Sequence, residues 1–384
     1  MKALFWTLLG LIFYCYLGYP LLICLLSRLF SKPVHKSVIF PSVSIIISVY
    51  NEEDVIKNKI DNLLALDYPK DQIDILIGSD ASTDRTDQII QNYQDPRLHV
   101  FIHPQRRGKM MTVNDLVARS KNEIIFFNDA RQLLEGDSLK NLVQNFADPS
   151  VGCASGELLF VKAEGGMAQG VNLYWEYEKF IRAHEARVHS MLGATGAIYA
   201  IRRSLYVPAP PEVVLDDMYT PFKIIEKGYR AIFDGTSHAF DSAAHSPTEE
   251  YKRKARTLYG NYQIFSLFPG LFNPLTSPVA VQLFSHKFLR VMVPFFMLIL
   301  LPLNYLMINE GIYKTIFGLQ IAFYTAAILE VFARGHKYGV FKPILKLCYV
   351  PYVFCLLNFA ALAGFYRFIG ARQGSTWEKA RKQF

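Results

Sequence analysis

The feature that most constrains this chain is an uncharged run at its N-terminus. Residues Ala3 to Ser27 contain no Asp, Glu, Lys or Arg over 25 positions. A helix needs roughly 20 residues to cross a hydrocarbon core of about 30 Å, so the run is long enough to span a membrane. A secretory signal peptide is the alternative, but its apolar core is shorter and precedes a small-residue cleavage site, whereas Arg28, Lys32 and Lys36 follow here. The run predicts a transmembrane anchor over residues 1–28.

Three further apolar segments lie near the C-terminus. Residues 291–309 and 347–366 are uncharged, and residues 315–329 form a shorter candidate between them. We therefore predict about three transmembrane segments within 288–369, followed by a basic tail over 370–384. If all three span, the tail ends outside, yet its Lys and Arg residues favour the inside. A re-entrant or interfacial segment among the three would resolve this conflict.

The middle of the chain, residues 37–247, is soluble in character, with charged residues at intervals typical of loops. Because Lys and Arg accumulate on the cytoplasmic side of spans, the basic residues after the first helix place this domain inside the cell, at the inner (plasma) membrane. Residues 248–287 are predicted to form amphipathic interfacial helices. The net charge of +8 reflects basic residues that flank membrane segments and meet anionic lipid headgroups. We therefore expect membrane lipids, and no nucleic acid, among the partners.

Strand and helix patterns alternate through the soluble domain. Short β-branched runs occur in four places, with helical patterns between them: 43–49, 73–79, 98–102 and 123–128. This alternation is typical of βαβ units and predicts an α/β fold with a parallel sheet. Ligands of such sheets bind beyond the carboxyl ends of the strands. The chain has neither a glycine-rich dinucleotide turn after the first strand nor a phosphate loop, which argues against Rossmann dehydrogenases and P-loop NTPases.

Seven segments of the chain carry recognisable motifs, in order from residue 43 to residue 263: VSIIISVYNEE, GSDASTDRT, RRGK, FFNDAR, GATGAIYAIRR, LDDMYTPFKIIEKGYR and YKRKARTLYGNYQ. Together they resemble the family 2 glycosyltransferases with a GT-A fold. The arrangement of membrane segments is similar to that of the membrane-anchored bacterial synthases of hyaluronan, cellulose or poly-N-acetylglucosamine. The resemblance implies transfer of a sugar from a nucleotide-sugar donor to a glycan or lipid-linked acceptor.

Such a transfer needs positive charge to offset the charge on the leaving diphosphate, and a base to deprotonate the acceptor hydroxyl. The resemblance implies that Asp217 is this base and that Asp216 supports it. Carboxylates buried near each other raise one another's pKa, which suits a proton acceptor. Acidic residues also suit the N-terminus of a helix, so a purely structural role for the pair is the alternative.

The resemblance also assigns donor contacts to the ends of the first strands and to the basic loop. It implies five donor-binding residues there: Tyr50, Glu52, Asp80, Arg107 and Lys109. Asp80 alternatively caps the helix that follows it, as we expect for Asp84. Arg107 and Lys109 alternatively form a solvated run of loop charges.

Asp129 occupies the first position of the D-x-D metal motif, but Arg131 stands at the third position. Mg²⁺ or Mn²⁺ takes several oxygen ligands, including water and phosphate. Either Asp129 and the diphosphate hold the ion with water completing its shell, or Arg131 itself neutralises part of the donor's charge. We predict a Mg²⁺ or Mn²⁺ cofactor with Asp129 as its ligand and Arg131 as a further donor-binding residue.

Two other segments bear on the acceptor and on product length. The small-residue turn Gly193 to Gly196 lets an acceptor sugar approach the backbone, with Gly193 and Thr195 nearest to it, or is simply a site of tight packing. The Gln-x-x-Arg-Trp motif of processive members is replaced by Arg253-Lys254-Ala255-Arg256-Thr257. Arg256 keeps the arginine, which the resemblance implies for the diphosphate, while the loss of Gln and Trp leaves processivity open.

Three functions are compatible with these observations. The leading one is an inverting polysaccharide synthase that uses a UDP-sugar at the cytoplasmic face of the membrane. The second is a single sugar transfer to a polyprenyl-phosphate carrier, which product length would separate from the first. The third is a catalytically silent membrane scaffold, and the retention of Asp129 and Asp217 argues against it.

Overall fold

An eight-stranded sheet forms the centre of the computed structural model, which describes residues 1–161, 166–242, 247–333 and 342–370. Its strands are β1 (Val43–Val49), β2 (Ile73–Ser79), β3 (Leu98–Ile102), β4 (Ile124–Phe127), β5 (Leu133–Leu134), β6 (Val151–Val161), β7 (Tyr199–Arg202) and β8 (Arg230–Ser242). Their order across the sheet is β3-β2-β1-β4-β7-β6-β8-β5.

One half of the sheet is parallel. Strand β1 pairs in parallel with β2 and with β4, and β2 pairs in parallel with β3. Every residue of β1 is buried, as expected where helices cover both faces of a parallel sheet. Beyond β4 the sheet becomes mixed, because β7 runs antiparallel to both β4 and β6. The predicted α/β fold is confirmed.

The longer helices of the described residues are α1 (Lys2–Leu29), α2 (Ile56–Leu64), α3 (Thr86–Gln91), α4 (Lys109–Arg119), α5 (Ser138–Val143), α6 (Gly166–Val188), α7 (Asp216–Glu226), α8 (Pro247–Leu267), α9 (Ala280–Tyr305), α10 (Gly311–Ala333) and α11 (Lys342–Ile369). Helix α2 shows why these segments are helical: Ile56, Ile60 and Leu63 recur at helical spacing and are all buried. Helix α4 begins after Gly108, whose φ of 90° favours glycine.

Four of the described helices are long and apolar enough to span a membrane: Lys2–Leu29, Ala280–Tyr305, Gly311–Phe332 and Cys348–Ile369. Large apolar side chains cover their outer faces, and Leu21 and Leu319 are examples, at 71% and 67% exposed. Patches of this kind mark surfaces that face a membrane or a partner. Three of the helices lie in the C-terminal region where the sequence predicts three spans. The basic tail predicted over 370–384 lies, beyond residue 370, outside the described residues.

The second candidate span overlaps the end of the predicted interfacial region, whose assignment stays a prediction. The sequence assigns residues 248–287 to interfacial helices, but residues 280–287 form the first turns of α9. Within these turns His286 and Lys287 lie against the carboxylate of Glu178 on α6. Helix α8 fills only the first part of the predicted interfacial region.

A buried group of charged and polar residues connects α6 to α1 and α9. We call it the junction cluster: Tyr19, Glu178, Glu185, His286, Lys287 and Arg290. Arg290 pairs with Oε1 of Glu178, and Oε2 of Glu178 lies 3.3 Å from His286 Nε2 and 3.7 Å from Lys287 Nζ. Burial disfavours the charged form of Glu178, but these neighbours outweigh it and hold the Glu178 pKa well below its ordinary value.

His286 bridges the two carboxylates of the junction cluster. Its Nδ1 lies 2.8 Å from Oε1 of Glu185, which also accepts the Tyr19 hydroxyl at 2.6 Å. Its Nε2 faces Glu178. Both ring nitrogens of His286 thus face a carboxylate oxygen. The cluster thus fixes the sheet domain to the candidate spans through charged groups that are removed from solvent.

Candidate active site

The loops after β1 and β2 are joined at the carboxyl edge of the sheet. Asn51 and Ala81 have φ angles of 55° and 58°, a left-handed conformation that is uncommon outside glycine and is often found at functional sites. The Asn51 amide nitrogen donates to Thr83 Oγ1 at 3.1 Å, and Asn51 Oδ1 accepts the Thr83 N–H at 2.7 Å. These bonds hold the two strand ends in one arrangement.

Asp80 connects the end of β2 to the basic loop before α4. Its Oδ1 accepts the N–H of Arg107 at 2.7 Å, and its Oδ2 accepts the N–H of Gly108 at 2.9 Å. Asp80 therefore holds the basic loop instead of capping the next helix. The capping role belongs to Asp84, whose Oδ1 accepts the N–H of Thr86 at 2.9 Å. Each carboxylate oxygen of Asp80 keeps a second lone pair that can accept a further hydrogen bond. The contact of Asp80 with a nucleotide base stays a prediction.

The other predicted donor contacts surround this loop. The Arg106 guanidinium lies 3.9 Å from the centre of the Tyr50 ring, within the range of a cation–π contact. The side chain of Arg107 turns away along α4, where it pairs with Asp115. Glu52 is buried, and its N–H donates to Thr86 Oγ1 at 2.8 Å. The sequence did not single out Arg106, although it precedes Arg107 in the same motif.

Lys109, at the first position of α4, meets carboxylates from two other elements. Its Nζ lies 3.1 Å from Oδ1 of Asp129, after β4, and 3.3 Å from Oδ2 of Asp216, at the start of α7. Burial disfavours the ammonium, but Asp129 and Asp216 outweigh it, so the pKa of Lys109 is raised. The structure thus brings a fixed positive charge and two predicted site carboxylates together.

Asp217 lies beside the same group, on the first turn of α7. A Cβ at Gly196 would lie 3.5 Å from Oδ2 of Asp217 and 3.7 Å from Oδ2 of Asp129, so both carboxylates face the open space at this glycine. Burial, with a further contribution from Asp216, raises the pKa of Asp217 to about 6. A carboxylate of this kind is a stronger base than an ordinary aspartate and is still ionised at neutral pH. Asp216 and Asp217 also begin a helix, as the structural alternative predicts, and the role of Asp217 as the base stays a prediction.

The turn Gly193 to Gly196 packs against the N-terminus of α7. Gly193 has φ of 107°, and a Cβ there would lie 2.7 Å from Met218 Cγ. The N–H of Ala194 donates to the backbone oxygen of Asp217 at 2.6 Å. Thr195 Oγ1 accepts from Arg182 Nη1 at 2.9 Å. Tight packing is therefore established at Gly193, while space next to the carboxylates remains at Gly196.

Two predicted donor-binding residues, Arg131 and Arg256, make no hydrogen bond or ion pair with the site carboxylates within the described part of the chain. Arg131 is exposed. Helix α8 docks beside the site, because a Cβ at Gly260 would lie 2.5 Å from Leu215 Cγ. Arg256 lies one turn earlier on α8, and among the described residues it has no hydrogen bond or ion pair with the site carboxylates. Contacts of Arg131 and Arg256 with a donor stay predictions.

A family model decides the identity of this domain. Residues 44–206 match the model described as glycosyl transferase family 2. The matched stretch begins in β1 and includes Asp80, Lys109, Asp129 and the turn at Gly193. This stretch is a family 2 glycosyltransferase domain. Asp216 and Asp217 follow shortly after the matched stretch and meet it in space.

Curated relatives of this glycosyltransferase include two synthases. It is 22% identical over 231 residues to poly-β-1,6-N-acetyl-D-glucosamine synthase of Staphylococcus aureus, covering 58% of the chain and 55% of the relative. It is 35% identical over 127 residues to β-monoglucosyldiacylglycerol synthase of Synechocystis sp., covering 30% of the chain and 25% of the relative. The chain thus spans about half the length of the first relative and a quarter of the second.

One solved structure matches nearly the whole chain. The mannosyltransferase PcManGT from Pyrobaculum calidifontis, in complex with GDP-Man and Mn²⁺, superposes with a TM-score of 0.72 at 22% identity. The match covers 96% of this chain and 100% of that one. At this identity the likeness concerns the fold, and the GT-A architecture with flanking apolar helices is confirmed.

The residues near Asp129 fit a divalent cation that is shared with a donor. Within the described ranges, no group of three or more His, Cys, Asp or Glu side chains is arranged to hold a metal alone. Magnesium sites that also bind phosphates commonly use only one or two protein carboxylates. Asp129 offers one, and the Oδ2 of Asp217 faces the same space. These protein oxygens therefore suit a metal ion whose remaining ligands are phosphate and water.

Two charged residues of the site had no sequence signal. Lys59 on α2 is fully buried and donates to the backbone oxygen of Gln132. Burial lowers the Lys59 pKa to about 7, although Asp129 opposes the shift. Arg182 on α6 reaches Thr195 across the fold. Neither lies in a recognisable motif, so only the tertiary structure places them here.

Proposed function

We propose that this glycosyltransferase is inverting and moves a sugar from a UDP-sugar to a growing extracellular or capsular polysaccharide. The convergence of Lys109, Asp129 and Asp217 supports the proposal most strongly. It combines a fixed cation, a candidate metal ligand and a carboxylate whose pKa is about 6. The basic residues after α1 support a multi-pass protein of the inner membrane with its catalytic domain in the cytoplasm.

The transfer begins at the acceptor hydroxyl. Asp217 accepts the hydroxyl proton while the oxygen attacks the anomeric carbon of the donor, and the bond from that carbon to the diphosphate breaks. The attacking oxygen approaches the face opposite the leaving group, so the configuration inverts. Asp216 supports Asp217, because its charge favours protonation of its neighbour.

Positive charge offsets what develops on the leaving nucleoside diphosphate. Lys109 provides it from a position held by Asp129 and Asp216, so little reorganisation is needed when the bond breaks. A divalent cation, when bound, supplies further positive charge beside the diphosphate, and Asp129 is the residue that would hold it. Asp80 fixes the loop that carries Lys109, through the N–H groups of Arg107 and Gly108.

A single transfer to a polyprenyl-phosphate carrier is the second candidate. The observation that favours it is the segment Arg253 to Thr257 on α8, which lacks the Gln and Trp of processive family members. A silent scaffold is disfavoured, because a carboxylate with a raised pKa beside a cation and a second carboxylate is an arrangement that clusters at functional sites.

The test is turnover by the purified full chain in detergent against a panel of UDP- and GDP-sugars. Product size is measured, and Asp217→Asn serves as the inactive control. Polymer made only by the intact protein supports the synthase, and a single lipid-linked sugar supports the second candidate. Exhaustive chelation should abolish turnover, and added Mg²⁺ or Mn²⁺ should restore it. Absence of turnover with every donor would contradict the proposal.

A further inference from the structure

The buried lysine of helix α2 has no part in the transfer described above. The side chain of Lys59 is fully buried, and its Nζ donates to the backbone oxygen of Gln132. Gln132 lies three residues after Asp129, in the segment between β4 and β5. A buried ammonium is very unfavourable unless an anion lies near it. Asp129 is that anion, because its charge opposes the lowering of the Lys59 pKa by burial.

The anchoring of this segment does not require a charge. Asn62, one turn after Lys59 on α2, holds Leu134 with a neutral amide. Its Nδ2 donates to the Leu134 backbone oxygen at 2.9 Å, and its Oδ1 accepts the Leu134 N–H at 2.8 Å. A neutral donor at position 59 would likewise satisfy the oxygen of Gln132 without the cost of removing a charge from water. The positive charge of Lys59 therefore needs an explanation other than anchoring.

Positive and negative charges balance in the candidate site. Six charged side chains act on one another there: Asp129, Asp216, Asp217, Lys59, Lys109 and Arg182. Lys109 lies between two of the carboxylates, Arg182 acts on Asp217, and Lys59 acts on Asp129. Three carboxylates and three cations have formal charges that sum to zero. A site without excess negative charge attracts a free divalent cation only weakly.

A divalent cation that arrives alone also meets a competitor at Asp129. The ammonium of Lys109 already pairs with Oδ1 of this carboxylate at 3.1 Å, and the charge of Lys59 acts on it from the interior of the domain. A nucleoside diphosphate changes the balance, because it brings negative charge and the phosphate oxygens that Mg²⁺ prefers as ligands. The residues of the site therefore favour an ion that binds together with the donor.

We infer that Lys59 is a positioning residue that acts through Asp129: its buried positive charge prevents a divalent cation from binding tightly until the diphosphate of a donor is present. The inference rests on the proposed function, because Asp129 is the candidate metal ligand of that same site. A purely structural role for Lys59 has the opposite consequence. Loss of a structural contact loosens the segment after Asp129 and weakens metal binding, whereas loss of a countercharge strengthens metal binding in the absence of nucleotide.

The experiment measures Mn²⁺ binding to the purified full chain in detergent by electron paramagnetic resonance, in which free Mn²⁺ gives the signal. Titrations are made without nucleotide and with saturating UDP, and Asp129→Asn defines the binding that occurs outside the site. We expect the unaltered chain to bind Mn²⁺ at least about tenfold more tightly with UDP than without it, a typical coupling between two ligands. Equal affinity in the two titrations would overturn the inference, as would binding that Asp129→Asn leaves unchanged.

Two substitutions remove the charge of Lys59 in different ways. Lys59→Met also removes the hydrogen bond to Gln132, whereas Lys59→Gln keeps an N–H donor. Both should strengthen nucleotide-free Mn²⁺ binding at least about fivefold, because a unit charge acts strongly on a divalent ion across a partly buried site. Asn62→Leu removes the neutral anchor of the same segment and should not strengthen binding. Unchanged or weaker Mn²⁺ binding by Lys59→Gln with an unaltered Tm, or equal strengthening by Asn62→Leu, would overturn the inference.

Sugar transfer by the same preparations separates this inference from the proposed function. If the Lys59 variants bind Mn²⁺ as the unaltered chain does, and the unaltered chain transfers sugar, the inference fails while the proposed function stands. If Mn²⁺ binding shows the expected dependences and no nucleotide-sugar is turned over, the countercharge stands and the proposed function fails.

Discussion

The ammonium of Lys109 lies 3.1 Å from Oδ1 of Asp129. A single side chain at the start of α4 thus connects the basic loop to the candidate metal ligand. The contact orients the ammonium before a donor binds, and preorganised charge of this kind is the main source of electrostatic stabilisation in active sites.

Replacing this lysine should therefore impair the chemical step. We expect Lys109→Met to lower kcat by about 10²- to 10³-fold, the usual cost of removing one preorganised group that stabilises a developing charge. Steady-state transfer from the active donor measures the effect. Lys140→Gln, which removes an exposed lysine paired with Asp67, is the control and should change kcat less than about twofold. A Lys109→Met enzyme with normal kcat would exclude the role.

The pKa of Asp217 predicts how the rate depends on pH. Burial and then Asp216 raise this pKa to about 6, and a base acts only in its ionised form. The kcat/KM for the acceptor should therefore rise as pH increases through about 6 and become level above about 7. Asp216→Asn removes a neighbouring negative charge, so it should move the midpoint to lower pH. A midpoint that is unaffected by this substitution would contradict the coupling.

Two glycines of one turn should respond differently to alanine. At Gly193 the φ of 107° and a contact of 2.7 Å with Met218 Cγ leave no room, so Gly193→Ala should lower the free energy of unfolding by about 1–3 kcal/mol. At Gly196 the nearest atoms lie at 3.5 Å and 3.7 Å, an ordinary contact distance. Gly196→Ala should keep its Tm but lose activity, because the methyl group occupies the space between two carboxylates. Thermal unfolding in detergent and transfer assays separate the two effects.

The junction cluster predicts a large stability difference between two glutamates of α6. Glu178→Gln leaves Arg290, Lys287 and His286 without their shared anion, and breaking a buried pair of this kind costs about 3–5 kcal/mol. Glu176→Gln, on the same helix, removes an exposed pair with Lys179 and should cost at most about 1 kcal/mol. Thermal unfolding in detergent compares the two variants. Similar Tm values would show that the cluster does not stabilise the docking of α6.

Local sequence patterns predicted the parallel half of the sheet closely. The β-branched runs at 43–49, 73–79 and 98–102 coincide with β1, β2 and β3. Strands β1 and β2 are almost wholly buried, so their choice of residue is narrow. Asp80 and Asp129, which follow β2 and β4, could be predicted as site residues because ligands bind at the carboxyl ends of parallel strands. Their positions follow from strand direction alone.

The remainder of the site depends on contacts between distant parts of the chain. Arg182 reaches Thr195 from a helix with no recognisable motif, and Lys59 is placed by the packing of α2. The sequence assigned residues 248–287 to interfacial helices, whereas α9 begins at Ala280. In its first turns, His286 and Lys287 pair with Glu178 and Glu185 of α6, contacts that no local pattern predicts.

The central claim is that Asp217 is the base of a glycosyl transfer at this site. The most direct test compares Asp217→Asn with the unaltered chain in two measurements, sugar transfer to the acceptor and affinity for the nucleotide-sugar. The substitution keeps size and shape but removes the proton acceptor, so kcat should fall about 10²- to 10⁴-fold while donor affinity changes less than about threefold. Glu226→Gln, at the exposed end of the same helix, should leave both unchanged. Transfer by Asp217→Asn at the unaltered rate would contradict the account.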